Sequence, residues 1–596
     1  MYIPVWSKPK ILSIMKKIYI ALFFGAAVMT TGCSDFLDPD NRSNAPTEQF
    51  YNTKTGFESL TNSMYSTLRQ VFNRQPHVFV GGTDLYGDGK SQGMAMTYYT
   101  YTVADGGIAN FYTDCYKGIQ AANEVIAYGA TTEQSAVREK YIDEARFIRA
   151  WYYFQLVQQF GGVPLANEMY ESAVMEFPRN TLAECYKFII SEFEYCASSA
   201  SKLDETSTVG RANKKAAKFF LAKAYLTKGW LNGKDEEVQE ENIAEASDFQ
   251  NAQKYILEVI GSDVPTESLD EAFDINNEQS KEFFWTVQYS IGSVNNPKND
   301  GSYQMAQFGA YLGGAEFPRT KAIDGTYSPT YYMHSLFSRG DGRYEQTFML
   351  ELYGTNETGM PTYKYFDYYY PAKGSVVLYY YAPWWATEAD IAAWRADDPT
   401  GVKAGAIVGQ VALNADKGYD PNAKKPADWA TRRHSDCGVP CIKKFDDYTE
   451  ESIVNRNSTC SMHDVSCARL GEAYLIAAEA YIMQGNNAEA AKMINALRKG
   501  PGTIKAGYED AMTVTAADMS VDFILEERAR ELAGEYVRWT DLKRTHKLIT
   551  NVLKYQEDPV LESNMKGPDG KYKILRPIPQ DVIDRNKAEI TQNPGY

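Results

Sequence analysis

Apolar residues recur every three to four positions through most of the first half of the chain. Met64, Leu68 and Phe72 show the pattern, because residues four apart share one face of an α-helix. The same spacing predicts helices over residues 59–72, 111–128, 137–160, 181–197, 214–230 and 248–260. The third helix ends at a glycine pair that begins at Gly161, and the glycine-rich stretch 77–109 predicts a long loop. The first half of the chain is therefore predicted to be mainly helical.

Residues 468–498 carry a pattern typical of two helices folded back on each other. Alanines such as Ala473 and Ala477 allow two helices to approach closely, and Gly485 marks a turn between them. This combination predicts a tetratricopeptide-type helical hairpin. Residues 214–260 predict a second hairpin with a longer acidic connection. A generic pair of helices without repeat ancestry is the alternative in both places.

The helical period fades near residue 285, and aromatic residues become frequent. The window 285–394 holds 25 aromatics in 110 positions, or 23%, against 13% for the whole chain. Three runs in this window are Tyr368-Tyr369-Tyr370, Tyr379-Tyr380-Tyr381 and Trp384-Trp385. Successive side chains of a strand point to opposite faces, so an all-aromatic triplet cannot lie wholly in a core. Some of these rings are therefore predicted to face solvent or a ligand.

The N-terminus carries the pattern of a secretory signal. Lys16 and Lys17 precede 12 apolar or small residues at 18–29, and Gly32 stands directly before Cys33. Twelve such residues are too few to span a bilayer. The junction is similar to a bacterial lipobox, in which the cysteine after the cleavage site is lipidated. We expect a lipidated Cys33, and an ordinary signal peptide with a chance cysteine is the alternative.

These patterns predict how the chain is organised. A signal peptide occupies residues 1–32, of which residues 1–14 precede a better start at Met15, and a lipidated tether covers 33–44. A single body is expected over residues 45–596. Its expected parts are an N-terminal helical part at 45–284, an irregular aromatic-rich insertion at 285–430, and a C-terminal helical part at 431–596.

The charge of the chain limits its partners. The formal net charge is −16 at pH 7, from 61 Lys and Arg against 77 Asp and Glu. Removal of residues 1–32 takes away four lysines and no acid, so the mature value is 57 minus 77, or −20. So strong a negative charge argues against nucleic acid and against an anionic membrane surface as partners.

The cysteines fall into two groups that differ in their sequence surroundings. Eight cysteines leave seven after lipidation, which is an odd number for an exported protein. Cys115, Cys185 and Cys196 lie in apolar helical patterns, which favours burial. The others are Cys437, Cys441, Cys460 and Cys467, and their spacing with His434 and His463 could hold zinc. Export favours disulfides, such as Cys437 to Cys441 or Cys460 to Cys467, with free thiols and zinc as alternatives.

Four strings in chain order carry a resemblance to a known family. They are CSDFLD at 33–38, EARFIRAWYYFQLVQQFGGVPL at 144–165, EERARELAGEYVRWTDLKR at 526–544, and LRPIPQDVIDRNKAEITQNPGY at 575–596. Behind the lipobox-like junction, they resemble the SusD/RagB family of glycan-binding outer-membrane lipoproteins of Gram-negative bacteria. The resemblance covers nearly the whole mature chain.

The resemblance implies a fold class and a function. The fold class is all-α, mainly helical, with tetratricopeptide-like hairpins that scaffold an irregular, loop-rich face for the ligand. The function is that of a non-catalytic, surface-exposed lipoprotein that captures a glycan and delivers it to a SusC-like TonB-dependent transporter. The expected partners are the glycan, the transporter and, through the lipid on Cys33, the outer membrane. No cofactor, metal or catalytic residue is expected.

The family takes its ligand contacts from the loop and helix start after the first helix, and from the irregular insertion. The first place offers Asp84, Tyr98, Tyr99, Tyr101, Asn110 and Tyr112, and the second offers Tyr303, Tyr311, Tyr327, Tyr369, Tyr380, Trp384 and Trp385. Tyrosine and tryptophan suit glycans because they combine a flat apolar ring with a hydrogen-bonding tip. An excess of 44 tyrosines over 27 phenylalanines agrees with exposed rings, since packing alone does not require hydroxyls. Local packing is the alternative for each residue.

Other polar residues are expected to be structural. Asp341 and Arg343 match a family D-x-R motif, and Arg538 and Asp541 are expected to form ion pairs. The chain lacks the GxSxG, HExxH and GxxxxGK[ST] motifs of common enzymes. Two carboxylates could still serve glycoside hydrolysis, so a hydrolase is one alternative. A receptor for peptides or other nutrients, or a protein-interaction scaffold on the same hairpins, is another.

Overall fold

A computed structural model describes most of the chain from residue 47 onward. The described residues are 47–72, 77–170, 172, 174–206, 210–233, 241–294, 300–309, 325–354, 375–410, 433–434, 438–449 and 460–596. Within these ranges, no helix combines the length and the apolar character needed to cross a bilayer. The predicted signal peptide, tether and lipidated Cys33 lie outside the described residues, and the proposed division of the body stays a prediction.

Helices dominate the described residues. The first ten are α1 Thr47–Tyr51, α2 Lys54–Phe72, α3 Ala95–Tyr98, α4 Gly106–Thr131, α5 Ala136–Phe160, α6 Leu182–Ala197, α7 Lys214–Trp230, α8 Asp248–Ile260, α9 Leu269–Ala272 and α10 Gln304–Phe308. The rest are α11 Tyr331–Ser335, α12 Arg343–Thr347, α13 Glu388–Ala396, α14 Leu470–Met483, α15 Asn487–Arg498, α16 Glu509–Met512, α17 Val521–Glu531, α18 Arg538–Arg544, α19 Leu548–Tyr555 and α20 Gln580–Arg585. The expected mainly helical fold class is confirmed.

All six helices predicted in the first half are present, as α2 and α4 to α8. Two starts differ clearly, because α2 begins at Lys54 and not at residue 59, and α4 begins at Gly106 and not at residue 111. The Asp105 carboxylate caps this helix by accepting hydrogen bonds from the N–H groups of Gly107 and Ile108. Two glycines in the first turn hide the start, since glycine has a low helix propensity. The predicted long loop before α4 also contains a short strand and α3, which are too short to show a period.

Both predicted helical hairpins are confirmed. Helices α14 and α15 pack against each other, and Gly485 in their connection has a φ of 74°, which favours glycine. Helices α7 and α8 form the second pair. A Cβ atom at Gly229 would lie 2.9 Å from the ring of Phe249, so their contact requires a glycine there. Helix α8 also packs against α14, so the two hairpins share one interface.

Seven short strands form three small sheets in the described chain. They are β1 Tyr86–Asp88, β2 Phe283–Val287, β3 Tyr327–Pro329, β4 Glu351–Gly354, β5 Val376–Ala382, β6 Ile407–Gln410 and β7 Val465–Arg469. Strand β1 pairs with β3, and β2 pairs with β7, both antiparallel. Strand β5 lies between antiparallel β4 and parallel β6. Helix α13 lies in the crossover from β5 to β6, as a parallel connection requires.

A network of buried ion pairs joins the C-terminal helices to the middle of the chain. Arg343 is fully buried, and its guanidinium contacts the carboxylates of Asp341 at 2.8 Å, Glu527 at 3.2 Å and Glu531 at 3.0 Å. Asp541 accepts a hydrogen bond of 2.7 Å from Nε of Arg528. Removal of one member would leave a partner charged and buried, which is costly. The expected structural role of this D-x-R motif is confirmed.

The predicted disulfides are not formed by the cysteines that the structure describes. No disulfide joins Cys460 to Cys467, so the expected pairing of these two cysteines is wrong, and Cys437 lies outside the described residues. The Cys460 thiol instead accepts a hydrogen bond from the N–H of Gly301. Burial raises the pKa of Cys467 well above its usual value, which keeps that thiol protonated. Spacing along a loop could not reveal these separate packing environments.

Candidate functional site

Asp84, an expected ligand contact, lies in the protein core. Its carboxylate is fully buried and accepts hydrogen bonds from Nε and Nη2 of Arg538, at 2.8 and 2.6 Å. Nδ2 of Asn551 donates a third, at 3.1 Å. These hydrogen bonds connect the segment before β1 to α18 and α19. The structure therefore gives Asp84 a structural role, which corrects the expectation that it touches a ligand.

Three of the expected tyrosines are buried as well. The Tyr99 hydroxyl donates to the carbonyl of Gly82 at 2.6 Å, and the residue has an unusual φ of 58°. Tyr101 is 2% exposed and packs beside Tyr596 at the C-terminal tail. Tyr327, on β3, has its hydroxyl 3.1 Å from Nδ1 of His77. Each ring is buried among its neighbours, so the local-packing alternative describes all three.

Tyr98 and Tyr303 are half-buried, so part of each ring remains accessible. Burial raises the pKa of Tyr98 to about 12, with a smaller contribution from the nearby Asp558 and Asp88 carboxylates. Arg433 lies in the same cluster and pairs with Asp558 at 2.9 Å. Tyr303 directly precedes α10. Two further expected residues, Tyr311 and Tyr369, lie outside the described residues.

The two residues on α4 that were expected to contact a ligand differ in exposure. Asn110 is exposed, whereas Tyr112 is 4% exposed and packs edge-on against Phe160, with ring centroids 5.1 Å apart. Its ring also contacts Tyr116, at 4.9 Å. Tyr112 thus belongs mainly to the packing between α4 and α5, and only its edge reaches a surface groove. The expectation of an exposed stacking ring at this position is corrected.

The remaining expected residues come together beside the three-stranded sheet. Tyr380 lies on β5, and Trp384 and Trp385 follow the end of that strand; all three are half-buried. Trp394 on α13 joins them, because its indole lies parallel to the Tyr380 ring with centroids 4.0 Å apart. We name these four residues the aromatic platform. Their neighbour Tyr381 is buried, so the triplet 379–381 is divided between core and surface, as predicted.

Polar contacts hold the rings of the aromatic platform in place. Nε1 of Trp394 donates to a carboxylate oxygen of Glu351 at 2.6 Å, and Nε1 of Trp384 donates to the carbonyl of Phe337 at 2.9 Å. Nη2 of Arg339 donates to the carbonyl of Trp385 at 2.9 Å. The same guanidinium binds both carboxylate oxygens of Asp390 and holds the pKa of that group well below its usual range. The ring orientations are therefore set before a ligand arrives.

Sequence reasoning missed Trp394 and the residues that hold it. A usable signal was present, because Thr387 and Asp390 form a capping box that marks the start of α13. This start places Trp394 on a helix that follows the Trp384-Trp385 pair directly. No sequence pattern indicates that Glu351 contacts Trp394, since this contact depends on how β4 and α13 are arranged in space.

The aromatic platform suits a flat ligand with both apolar and polar edges. Tyr and Trp rings provide apolar faces, and the Tyr380 hydroxyl remains a hydrogen-bond donor because burial raises its pKa to about 12. Glu351 and Asp390 carry carboxylates beside the rings, but both are engaged in holding side chains of the site. The geometry favours binding by ring contact and hydrogen bonding over acid–base chemistry.

The chain belongs to the SusD family. The family model described as "SusD family" matches residues 226–596, which is more than half of the chain. A second model, described as "Starch-binding associating with outer membrane", matches residues 35–226. The two matches meet at residue 226, within α7.

Two curated proteins and one solved structure show the range of similarity. A SusD-like protein of Bacteroides ovatus is 28% identical over 278 residues, or 44% of this chain, and the chain spans about half of that relative, 48%. SusD-like protein P2 of Formosa agariphila is 24% identical over 603 residues, or 98% of this chain and 100% of that one. Surface glycan-binding protein A of Bacteroides thetaiotaomicron, in complex with laminarihexaose, has a TM-score of 0.59 at 16% identity and covers 91% of this chain and 100% of its own.

Proposed function

We propose that this protein is a non-catalytic glycan receptor and that the aromatic platform is part of its binding site. The observation that carries the proposal is a set of four half-buried rings beside one small sheet, Tyr380, Trp384, Trp385 and Trp394. Hydrogen bonds orient the indoles of Trp384 and Trp394, and Tyr380 stacks on Trp394. Membership of the SusD family supports it, as does the laminarihexaose complex of a protein with the same fold.

The chemistry of sugars agrees with such a site. A pyranose has a face of C–H groups and a rim of hydroxyls, so it needs a flat apolar surface flanked by polar atoms. The rings supply the surface, and the Tyr380 hydroxyl supplies a polar atom. Burial of the sugar's apolar face contributes about 25 cal/mol per Å² removed from water, so several rings together give useful affinity.

The cellular role follows from the N-terminal pattern and the family. We propose that lipid on Cys33 anchors the protein to the outer membrane with its body at the cell surface. A SusC-like TonB-dependent transporter would then receive the captured glycan. The family model described as associating with the outer membrane supports this location. Replacement of Cys33 by serine should release the protein from the membrane fraction, whereas membrane retention would contradict the lipid anchor.

A binding screen tests the receptor proposal and separates it from the alternatives. The protein is run by affinity electrophoresis in gels that contain single polysaccharides, and each polysaccharide is also incubated with the protein and checked for shortened products. Retardation by a glycan without cleavage supports the receptor. Cleavage would instead show a hydrolase, and absence of retardation across a broad panel would favour a peptide or protein ligand.

A further inference from the structure

A second concave site lies away from the aromatic platform, between α4, the segments 164–166 and 174–177, and α20. It has a cavity volume of about 350 Å³. Its lining residues are Tyr112, Tyr116, Pro164, Ala166, Val174, Met175, Phe177, Val582, Arg585 and Asn586. We name it the α4–α20 groove. Val174 and Met175 are 42% and 47% exposed, and as neighbours they present a continuous apolar surface for contact.

The walls of the α4–α20 groove are held together by hydrogen bonds from the Asn586 side chain and from the backbone. The N–H of Phe177 donates to Oδ1 of Asn586 at 3.0 Å, and Nδ2 of Asn586 donates back to the Phe177 carbonyl at 2.7 Å. The N–H of Lys587 donates to the carbonyl of Met175. These contacts join the two sides, so the groove is formed before a ligand enters. Preformed sites of this volume are typical of small-molecule binding.

The polar atoms of the walls are almost all engaged. The Tyr116 hydroxyl donates to the carbonyl of Pro164 at 2.7 Å, and both side-chain polar atoms of Asn586 bind the backbone of Phe177. Each sugar hydroxyl that faces the walls would therefore lose its hydrogen bond with water, at a cost of about 1–3 kcal/mol. The wall chemistry favours an apolar ligand body over a glycan.

Arg585, at the rim of the groove, differs from the other polar lining residues because its side chain is largely exposed. Its side chain is 80% exposed, and its nearest recorded carboxylate, that of Asp581, is 3.9 Å away. Arg585 is the only charged side chain among the lining residues named above. A guanidinium beside an apolar groove is complementary to a carboxylate attached to an apolar group. The volume equals that of roughly a dozen liquid waters at about 30 Å³ each, which suits a ligand of about that many heavy atoms.

We propose that the α4–α20 groove binds a small amphipathic anion of the aromatic monocarboxylate class. The apolar body lies against Tyr112, Met175 and Val582, and the carboxylate faces Arg585. This site is separate from the proposed glycan site, so its ligand does not compete with a glycan. The protein would then recognise two chemically different groups at once.

Calorimetric titration with a matched pair of probes tests this proposal. The probes are 3-phenylpropionate and 3-phenylpropan-1-ol, which share the apolar body and differ in charge. We expect saturable binding of both to the purified protein, with the acid tighter. Arg585→Gln should weaken the acid about three- to fivefold, the range expected for an exposed ion pair, and leave the alcohol unchanged. Lys492→Gln, which removes an exposed cation elsewhere, should change neither.

A second variant tests the groove itself without disturbing the core. Met175 is exposed, so Met175→Glu should fold normally and place a carboxylate in the wall, lowering affinity for the acid at least tenfold. Leu553→Glu, at a similarly exposed residue on α19, is its control. Three results would overturn the proposal: no saturable binding of either probe, equal binding of acid and alcohol to the unmodified protein, or equal effects of variant and control. Retardation of the protein by a glycan should persist in all four variants. A negative result for the groove would therefore leave the receptor proposal unaffected.

Discussion

The ring of Tyr380 lies parallel to the indole of Trp394, with centroids 4.0 Å apart and an angle of 6° between the planes. This separation is van der Waals contact, so a sugar ring cannot enter between them. The two rings act as one plate that links β5 to α13. Ligand contact must therefore use the outer surfaces of this plate and the neighbouring tryptophans, and the orientation of Trp394 becomes important for binding.

Glu351 is predicted to position Trp394 for glycan binding. Glu351→Ala removes the acceptor of the indole N–H, so the plate loosens, and we expect glycan affinity to fall about three- to tenfold. Glu351→Gln keeps a carbonyl oxygen at the same place and should retain most of the affinity. Calorimetry measures the affinity, and near-ultraviolet circular dichroism reports the tryptophan environment.

The matched control for this experiment is Glu194→Ala. Glu194 accepts a hydrogen bond of 2.8 Å from the Tyr225 hydroxyl on α7, so the variant removes a similar aromatic contact from the helical part. It should leave glycan affinity unchanged. Equal losses for Glu351→Gln and Glu351→Ala would show that the hydrogen bond to Trp394 has no positioning role.

Asp84→Ala is predicted to destabilise the protein strongly. The change leaves the Arg538 guanidinium buried without its carboxylate, at a cost of about 3–5 kcal/mol in the free energy of unfolding. Urea denaturation measures this quantity. Asp581→Ala, in the exposed contact with Arg585, should change it by less than about 0.5 kcal/mol. If Asp84→Ala keeps full stability and loses glycan binding, Asp84 is a ligand contact after all.

His463 is predicted to make stability depend on alkaline pH. Its Nδ1 lies 2.8 Å from a carboxylate oxygen of Glu278, and its Nε2 lies 2.8 Å from the carbonyl of Phe273. Burial alone would lower the pKa of His463, but the hydrogen bond and charge of Glu278 outweigh it and raise the pKa to about 9. A folded pKa above the usual 6.5 means that the stabilisation is complete below pH 6.5 and is lost as pH rises through 9.

The neighbouring Asp464 acts in the same direction. Burial, followed by the charge of Glu278, raises the pKa of Asp464 to about 8, so its contribution is also lost as pH rises. We expect the free energy of unfolding to fall between pH 7 and pH 10, and His463→Gln should make this slope shallower. His434→Gln serves as control, because burial lowers the pKa of His434 and removes its titration from this range. Identical slopes in all three proteins would contradict the assignment.

The cysteines offer a chemical test of the fold. Alkylation in urea without reductant should label both Cys460 and Cys467, because no disulfide joins them in the structure. Before unfolding, the buried Cys115 and Cys196 should resist labelling at pH 8, since burial raises the pKa of each thiol. Mass spectrometry reads out each site. A peptide that joins Cys460 to Cys467 would contradict the structure.

The helical part of the fold was predictable because its signal is local. The period of apolar residues defined α2 and α4 to α8, and the alanine pattern with Gly485 defined the hairpin of α14 and α15. Such patterns arise wherever one face of a helix is buried, so they survive without knowledge of the tertiary structure. Their main errors were the starts of α2 and α4, and the error at α4 came from glycines that the Asp105 cap tolerates.

The site was predictable only in part. Aromatic residues in an irregular segment show no period, so the sequence could not separate buried Tyr99 and Tyr327 from half-exposed Tyr380 and Trp384. Contacts between segments that are far apart in the chain also could not be predicted from the sequence. The pairing of Asp84 with Arg538 spans more than 450 positions, and no local pattern in the sequence indicates it. The aromatic composition located the right region but not the individual rings.

The most direct test of the account compares ring-deleted variants on a glycan found in the electrophoretic screen. Trp384→Ala and Tyr380→Ala should each weaken affinity by roughly tenfold while the thermal midpoint stays nearly unchanged. Tyr255→Ala, in the stacked pair with Tyr225 on the helical hairpin, should bind as the unmodified protein does. Unchanged glycan affinity in both platform variants, or loss of affinity only together with unfolding, would contradict a glycan site at the aromatic platform.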